Sequence, residues 1–381
     1  MQKNRSEWNV NTKLNHPVEI KIPEGNKPLI QPIFLSAKYY PSESQPYFEQ
    51  FMYSRVSNPT TRQLELTLAE IQKREDCMVV GSGVAALTGT FLGLLKTGDH
   101  IISFKESYRP SRVFIRDSLS HFGITSTFLS LTEMNQLESA IVSGKTKLIH
   151  FESPSNPNLE IADIEKIISV ARKYNVLVSM DGTFAGLHQH TQFDVDIMIH
   201  SLTKFGNGHG DVIAGCIAGK SIVLKQIREM CLQLGAALDP HAAYLITRGL
   251  KTYMLRYARQ TETAQKIVTF LESHPKIKWV RYPNSELARR QMRDMGSTIS
   301  FEVDPSIAKS ADNFCHKLKL IQLAASLGST ESVIAPTLAF FGLDLTPEER
   351  ESMLLTPYSV RLSVGLEDAE DLIRDLEAAL A

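Results

Sequence analysis

The sequence predicts an α/β protein: a mostly parallel central sheet with helices on both faces, followed by a smaller C-terminal α+β domain. Three observations predict it. Short apolar runs of strand length recur between residues 77 and 218, separated by segments with helical spacing. That alternation is how a parallel sheet covered on both faces reads in sequence. After about Pro240 the pattern changes to a long helical stretch followed by isolated strands. The chain also has 381 residues, more than one typical domain needs.

Asn58-Pro59-Thr60 offers a cap followed by a proline at the first helical position, and the spacing predicts a helix to about Arg74. Residues 77–80 are a buried-strand candidate, and 84–96 a helix stopped by Thr97-Gly98. Strands are expected at 100–104, 124–129, 147–151, 176–180, 196–200 and 212–218, with helices at 111–121 and 162–174. Within 162–174, Ile164, Ile167, Ile168 and Ala171 share one face. A helical stretch then spans His241 to Ser273. It is followed by a strand at 297–303, a helix near 308–318, strands near 320–325 and at 359–364, and an amphipathic helix over 367–380. Residues 1–55, rich in Pro, Asn and polar aromatics, read as an extended arm with little core of its own. The expected division is an arm over 1–55, an α/β domain over 56–240 and an α+β domain over 241–381.

Lys plus Arg number 41 and Asp plus Glu 42, a formal charge of −1. Such a chain has no general pull on nucleic acid or anionic membrane, so any phosphate must be held by a local site. Cys77, Cys216, Cys231 and Cys315 form no C-x-x-C pair, which argues against structural zinc or a disulfide framework and for a reduced, cytoplasmic setting. The opening residues lack the apolar stretch of a secretory signal, and no apolar run approaches the roughly 18 residues of a membrane span. No metal, nucleic-acid or membrane partner is expected.

Gly81-Ser82-Gly83-Val84-Ala85-Ala86 follows a strand candidate and opens a helix candidate. Glycines let backbone approach a phosphate, and free N–H groups at a helix start favour an anion. The same run fits a dinucleotide pattern, so a nicotinamide-dependent dehydrogenase and a plain tight turn remain open at this point. The strand 176–180 ends in Asp181, and the strand 196–200 ends in Ser201-Leu202-Thr203-Lys204. Carboxyl ends of parallel strands are where ligands bind. A lone lysine or aspartate there is usually a surface or turn residue. Together they bring a carboxylate, an amine and two hydroxyls to one sheet edge, the inventory pyridoxal 5'-phosphate needs: a lysine for the Schiff base, an acid for the pyridine nitrogen and a helix start for the phosphate.

In its motifs the sequence resembles the Cys/Met-metabolism pyridoxal-phosphate enzymes of fold type I. That group includes cystathionine γ-synthase, cystathionine γ- and β-lyases, methionine γ-lyase and O-acylhomoserine sulfhydrylases. The likeness runs from about Gln31 to the C-terminus. It rests on YSRVSNPTTRQLE (53–65), GSGVAAL (81–87), FESPSNPNLEIADI (151–164), MDGTF (180–184), HSLTKFGNGHGD (200–211), SLGSTES (326–332) and VRLSVGLEDAEDL (360–372), in that order.

The resemblance implies roles for individual residues. Lys204 would hold the cofactor and shuttle protons, and Asp181 would pair with the pyridine nitrogen. Ser201, Thr203 and the backbone at Ser82, Gly83 and Val84 would bind the phosphate, with Tyr53 and Arg55 reaching it from a neighbouring subunit. Tyr108 would stack on the ring, and its hydroxyl would donate to the leaving group if nearby cations lower its pKa. Asn156 would sit near the cofactor's phenolic oxygen. Arg361 would grip the substrate carboxylate, helped by the backbone near Ser326, with Asn156 and Tyr53 also at the substrate. A homodimer at least, and a homotetramer as the full assembly, would follow.

Some residues depart from the family pattern. Arg109-Pro110 replaces Gly-Gly, or the Gly-Cys of methionine γ-lyase, which argues against methionine as preferred substrate. Gly182 stands where Asn is usual, which would loosen the packing beside Asp181. Leu327 replaces the Trp of similar cystathionine β-lyases, and Ala335-Pro336-Thr337-Leu338 replaces a His-Pro stretch. Glu331 reads as a solvated acid or as a group facing the substrate side chain. The resulting expectation is a carbon–sulfur lyase of the cystathionine γ-lyase type acting on a small amino acid. The alternatives are cystathionine γ-synthase or O-acylhomoserine sulfhydrylase, then methionine γ-lyase or cystathionine β-lyase.

Overall fold

The structure, a computed structural model, describes Gly25, residues 28–44, Pro46 and residues 50–381. Much of the arm expected over 1–55 (residues 1–24, 26, 27, 45 and 47–49) lies outside the described residues. Residues Phe34–Ala381 form one compact unit. Both sheets and all side chains discussed below belong to the Phe34–Ala381 unit. Its first residues are tied to the helix Pro59–Ile71: Asn58 caps that helix through Thr60 N–H and donates from Nδ2 to Phe34 O at 2.7 Å.

The large sheet has seven strands: β1 (Asp76–Val80), β2 (His100–Phe104), β3 (Thr125–Leu129), β4 (Thr146–Glu152), β5 (Leu177–Asp181), β6 (Ile197–Ser201) and β7 (Gly215–Gly219). Their order is β1-β7-β6-β5-β4-β2-β3, and only β7 runs against its neighbours. The apolar strands are covered on both faces. One layer includes Leu87, Phe91, Leu119 and Ile227, and the other Leu64, Leu68, Leu187, Ile246 and Tyr257. A second sheet joins β8 (Ile277–Arg281), β9 (Thr298–Val303), β10 (Gln322–Leu323), β11 (Val333–Pro336) and β12 (Ser359–Ser363) in the order β10-β11-β12-β9-β8. It is mixed, with only β10 and β11 parallel, and packs against Tyr253–Ser273 and Ala369–Leu380. The α/β class with a mostly parallel large sheet and a smaller second sheet is as the sequence predicted.

Several local expectations change. The strand expected over 212–218 starts only at Gly215, as β7. Ala214 is held instead by Thr203, whose hydroxyl exchanges hydrogen bonds with its N–H and C=O at 3.0 and 3.2 Å. The helix expected over 111–121 is an α-turn at Arg109–Val113, a π-turn at Phe114–Ser118 and a 3-10 turn at Leu119–Phe122. The single stretch over 241–273 breaks at Lys251-Thr252 into Pro240–Leu250 and Tyr253–Ser273. Gly249 meets Asn207 there, since a Cβ would lie 2.4 Å from Asn207 O, and its carbonyl accepts from Arg256 Nη2. The helix Ser221–Gln233 and strands β8 and β11 were not foreseen. Among the described residues no helix is long and apolar enough to cross a membrane, and the four cysteines are free and buried.

Candidate active site

The carboxyl ends of β4, β5 and β6, with the turn after β1, open onto one cavity of about 290 Å³. Parallel strands all present the same end there, and their carbonyl-terminal loops supply the lining. At one wall the helix Gly83–Leu94 begins. Ser82, in extended backbone, caps it by accepting from Ala85 N–H at 3.0 Å, leaving the first-turn N–H groups of Gly83 and Val84 facing away from any intrahelical acceptor. A Cβ at position 83 would lie 2.8 Å from Ser201 Cβ, so glycine is what lets the helix start sit against the end of β6. Ser82, Gly83, Val84, Ser201 and Thr203 therefore meet at one end of the cavity, a cradle of donors suited to a phosphate.

Asp181 closes β5 and Glu152 closes β4, and the two are paired in register. Asp181 Oδ1 accepts from Thr183 N–H at 2.9 Å, while burial pushes its pKa up. Burial and the Asp181 charge push Glu152 well above the usual carboxylate range. Glu152 Oε1 also accepts the backbone N–H of Tyr108 at 2.6 Å, which fixes the turn that carries the Tyr108 ring to the cavity.

Lys204, just beyond β6, donates from Nζ to Ser326 Oγ at 2.8 Å. Its pKa falls to about 8, chiefly through burial and then through the charge of Arg361. Arg361 lies on β12 and is 3% exposed. It donates to Asn156 Oδ1 at 2.8 Å and to Ser326 O at 2.9 Å, while Nε is buried with no partner among the described residues. Its guanidinium lies 4.3 Å from the Phe341 ring centre and 5.4 Å from that of Phe184. Burial lowers its pKa to about 10, still well above neutrality, so it remains a cation. Ser326 holds both groups by adopting φ +94°, a left-handed conformation rare for a serine, and such backbone clusters at functional sites.

Eleven of the residues given a site role from the sequence thus line one cavity: Ser82, Gly83, Val84, Tyr108, Asn156, Asp181, Ser201, Thr203, Lys204, Ser326 and Arg361; Leu327 lines it too. Tyr53 and Arg55 are not among them. Tyr53 is 47% exposed, the Arg55 guanidinium lies 5.5 Å over its ring, and Arg55 donates to Leu232 O. Glu331 is exposed and also lies outside the cavity lining.

Two expectations are corrected here. The Tyr108 pKa is raised, not lowered: burial and the charges of Glu152 and Asp181 outweigh Arg361. The space beside Gly182 is not loose. A Cβ there would lie 2.7 Å from His200 Cε1 and 3.1 Å from Met198 Sδ, so the buried His200 ring fills it.

Residues 18–381 match the family model described as Cys/Met metabolism PLP-dependent enzyme. The chain belongs to that family. It is 39% identical over 341 residues to an L-methionine γ-lyase of Fusobacterium nucleatum subsp. polymorphum, covering 87% of this chain and 86% of the relative. Its structure resembles cystathionine γ-lyase from Lactobacillus plantarum, with a TM-score of 0.86, 32% identity and coverage of 91% and 92% of the two chains. It also resembles a putative O-acetylhomoserine (thiol)-lyase from Campylobacter jejuni that carries an N'-pyridoxyl-lysine-5'-monophosphate, with a TM-score of 0.85, 29% identity and coverage of 92% and 94%.

Pyridoxal phosphate is the cofactor of this fold type I enzyme, and the cavity fits it. The donors at the start of the helix Gly83–Leu94 suit a phosphate, and the part-neutral Lys204 amine suits an aldehyde. Asp181 is a buried acid with no cation in an ion pair among the described residues, and a protonated ring nitrogen would supply one. The Gly81–Ala86 turn accordingly suits the phosphate of this cofactor. Sequence reasoning missed Glu152, Thr183, Phe184 and Phe341. Glu152 lay inside the FESPSNP motif, where an acid ending a strand one place from Asp181 was a readable signal. Phe341 carried none, because its place depends on the short helix Thr337–Phe341 that follows β11 of the second sheet.

Proposed function

We propose that the enzyme is a carbon–sulfur lyase of the trans-sulfuration type, removing the γ-substituent of a sulfur amino acid such as cystathionine by elimination. One observation carries the reading: Ser326 offers its hydroxyl to Lys204 Nζ at 2.8 Å and its carbonyl to Arg361 Nη2 at 2.9 Å. A substrate whose carboxylate meets Arg361 then has its Cα beside the lysine amine. Arg361 is suited to that carboxylate because a guanidinium fork binds it through two parallel bonds and Nε is free.

Bound pyridoxal phosphate supplies an electron sink for charge that develops at Cα. Lys204 Nζ, with its pKa near 8, has a neutral fraction at physiological pH that takes the Cα proton and returns protons further along the substrate. Asp181, at the end of β5, would hold the ring nitrogen. Tyr108, with its raised pKa, keeps its proton at neutral pH and delivers it to the departing sulfur. Leu87, Phe184, Leu327 and Phe341 make the remaining wall apolar, which excludes water and strengthens each electrostatic contact. Pro110, where methionine γ-lyase carries a cysteine, supports a substrate other than methionine.

The proposed active unit is a homodimer at least, within a homotetramer. Tyr53 and Arg55 lie away from the cavity of their own chain, and a second copy would bring them to the phosphate end. A cytoplasmic location belongs to the same proposal, supported by four cysteines that remain free. The test is product analysis with cystathionine, with and without added cysteine or sulfide. The lyase releases ammonia and 2-oxobutanoate with no thiol present. A product formed only from an O-acylhomoserine and a thiol, with no 2-oxo acid, would assign a γ-replacement enzyme instead.

A further inference from the structure

Arg112 is 1% exposed and uses its guanidinium entirely inside the protein. On one side Nη1 donates to Lys105 O at 3.2 Å and to Ser107 O, in the turn that leads into Tyr108. On the other, Nε and Nη2 form a two-pronged pair with Asp344 at 3.1 and 2.8 Å, and Nη2 also donates to Phe341 O at 2.7 Å. Those five bonds match the five N–H donors an arginine has. Asp344 is itself buried, and Arg116 adds a bond to its carbonyl at 3.1 Å. One side chain thus bolts the Tyr108 turn to the end of the short helix Thr337–Phe341, more than 220 residues later.

That helix carries the Phe341 ring, which is 7% exposed, lines the cavity and lies 4.3 Å from the Arg361 guanidinium. A cation over a ring face is attracted by the ring quadrupole, most strongly where water is excluded. The ring also limits where the guanidinium can swing. We infer that Arg112 is a positioning residue for substrate carboxylate recognition, acting through the Phe341 backbone to hold that ring against Arg361. Phe341 is the element that transmits the position. The inference rests on the reading of Arg361 as the substrate-carboxylate group.

Two variants and their combination test it on the holoenzyme: Arg112→Lys, which cannot form the fork to Asp344, and Phe341→Leu, which keeps the bulk but removes the ring face. Each should raise KM for the amino-acid substrate about 5- to 10-fold while kcat changes less than about 3-fold. The dissociation constant for glycine, a carboxylate ligand with no leaving group, should rise in parallel when followed by the cofactor's absorbance. Because both act through one ring, the double variant should be no worse than the poorer single variant by more than about 2-fold. Multiplying effects, or a drop in kcat with KM and glycine affinity unchanged, would overturn the proposal. If Arg112→Lys does not fold, Phe341→Leu alone decides it, since unchanged glycine affinity there removes the ring from carboxylate binding. Arg361→Ala separates the two readings. If it leaves glycine affinity intact, the substrate role of Arg361 fails; if it weakens glycine binding while Phe341→Leu does not, only the Arg112–Phe341 device fails.

Discussion

Glu152 and Asp181 stand in register at the carboxyl ends of β4 and β5, two buried acids with no ion pair to either among the described residues. Burial disfavours the charge of both, and the Asp181 charge further disfavours that of Glu152, so Glu152 holds its proton well above the usual carboxylate range. Its oxygen positions Tyr108 through a backbone bond, which a neutral side chain can also accept.

A pH dependence of stability follows. An acid whose folded pKa lies above its unfolded value contributes fully below the unfolded value, near 4.5 here, and that contribution is lost as pH rises through the folded pKa. Glu152→Gln keeps an oxygen for Tyr108 N–H and removes the titration. Its Tm should exceed that of the unaltered protein by about 2 °C or more at pH 8, and the gap should close toward pH 4.5. Thermal scans across that range check it. An equal gap at every pH would show that the carboxyl does not titrate in this way.

How much of this was legible in the chain depended on distance along it. Asp181 and Lys204 were readable because each ends a short apolar run, and the cradle was readable because glycine and serine preceded a helix pattern. The Arg361–Asn156 bond joins residues 205 positions apart, and the Arg112–Phe341 bond joins residues 229 apart. No local periodicity encodes such pairings. The start of β7 was misplaced for a similar reason: Val212 and Ala214 are apolar and strand-like, but Thr203, nearby only in three dimensions, takes the backbone bonds of Ala214. Tyr108 shows the same limit electrostatically, since its pKa is raised by burial in the assembled cavity and then by two acids from β4 and β5 that the motif around it does not contain.

Arg361→Ala should raise KM for the amino-acid substrate at least about 30-fold, the loss expected when one partner of a buried charged pair is removed. Cofactor absorbance should be retained, because Arg361 is placed at the substrate end of the cavity. Steady-state kinetics with absorbance spectra measure both. An unchanged KM would take Arg361 out of substrate binding.

Tyr53 and Arg55 give a prediction about assembly. Lys204→Ala and Arg55→Ala homo-oligomers should each be strongly impaired. Mixing and reassembling the two should restore activity toward about a quarter of the unaltered level. That follows because half of the mixed dimers' sites, in a statistical mixture of dimers, pair an intact lysine with an intact arginine. Activity assays after dissociation and reassembly check it. No recovery, with mixed oligomers demonstrated by mass spectrometry, would mean that each site is built from one chain.

Lys204 is the residue on which the chemistry turns, an amine lowered to about 8 at the end of β6 and hydrogen-bonded to Ser326. Borohydride reduction of the purified holoenzyme, followed by proteolysis and mass spectrometry, locates the lysine joined to the cofactor. The account predicts a pyridoxyl-phosphate label on the peptide containing Lys204 and no label in the Lys204→Ala protein. A label on a different lysine, or one that persists in Lys204→Ala, would contradict it.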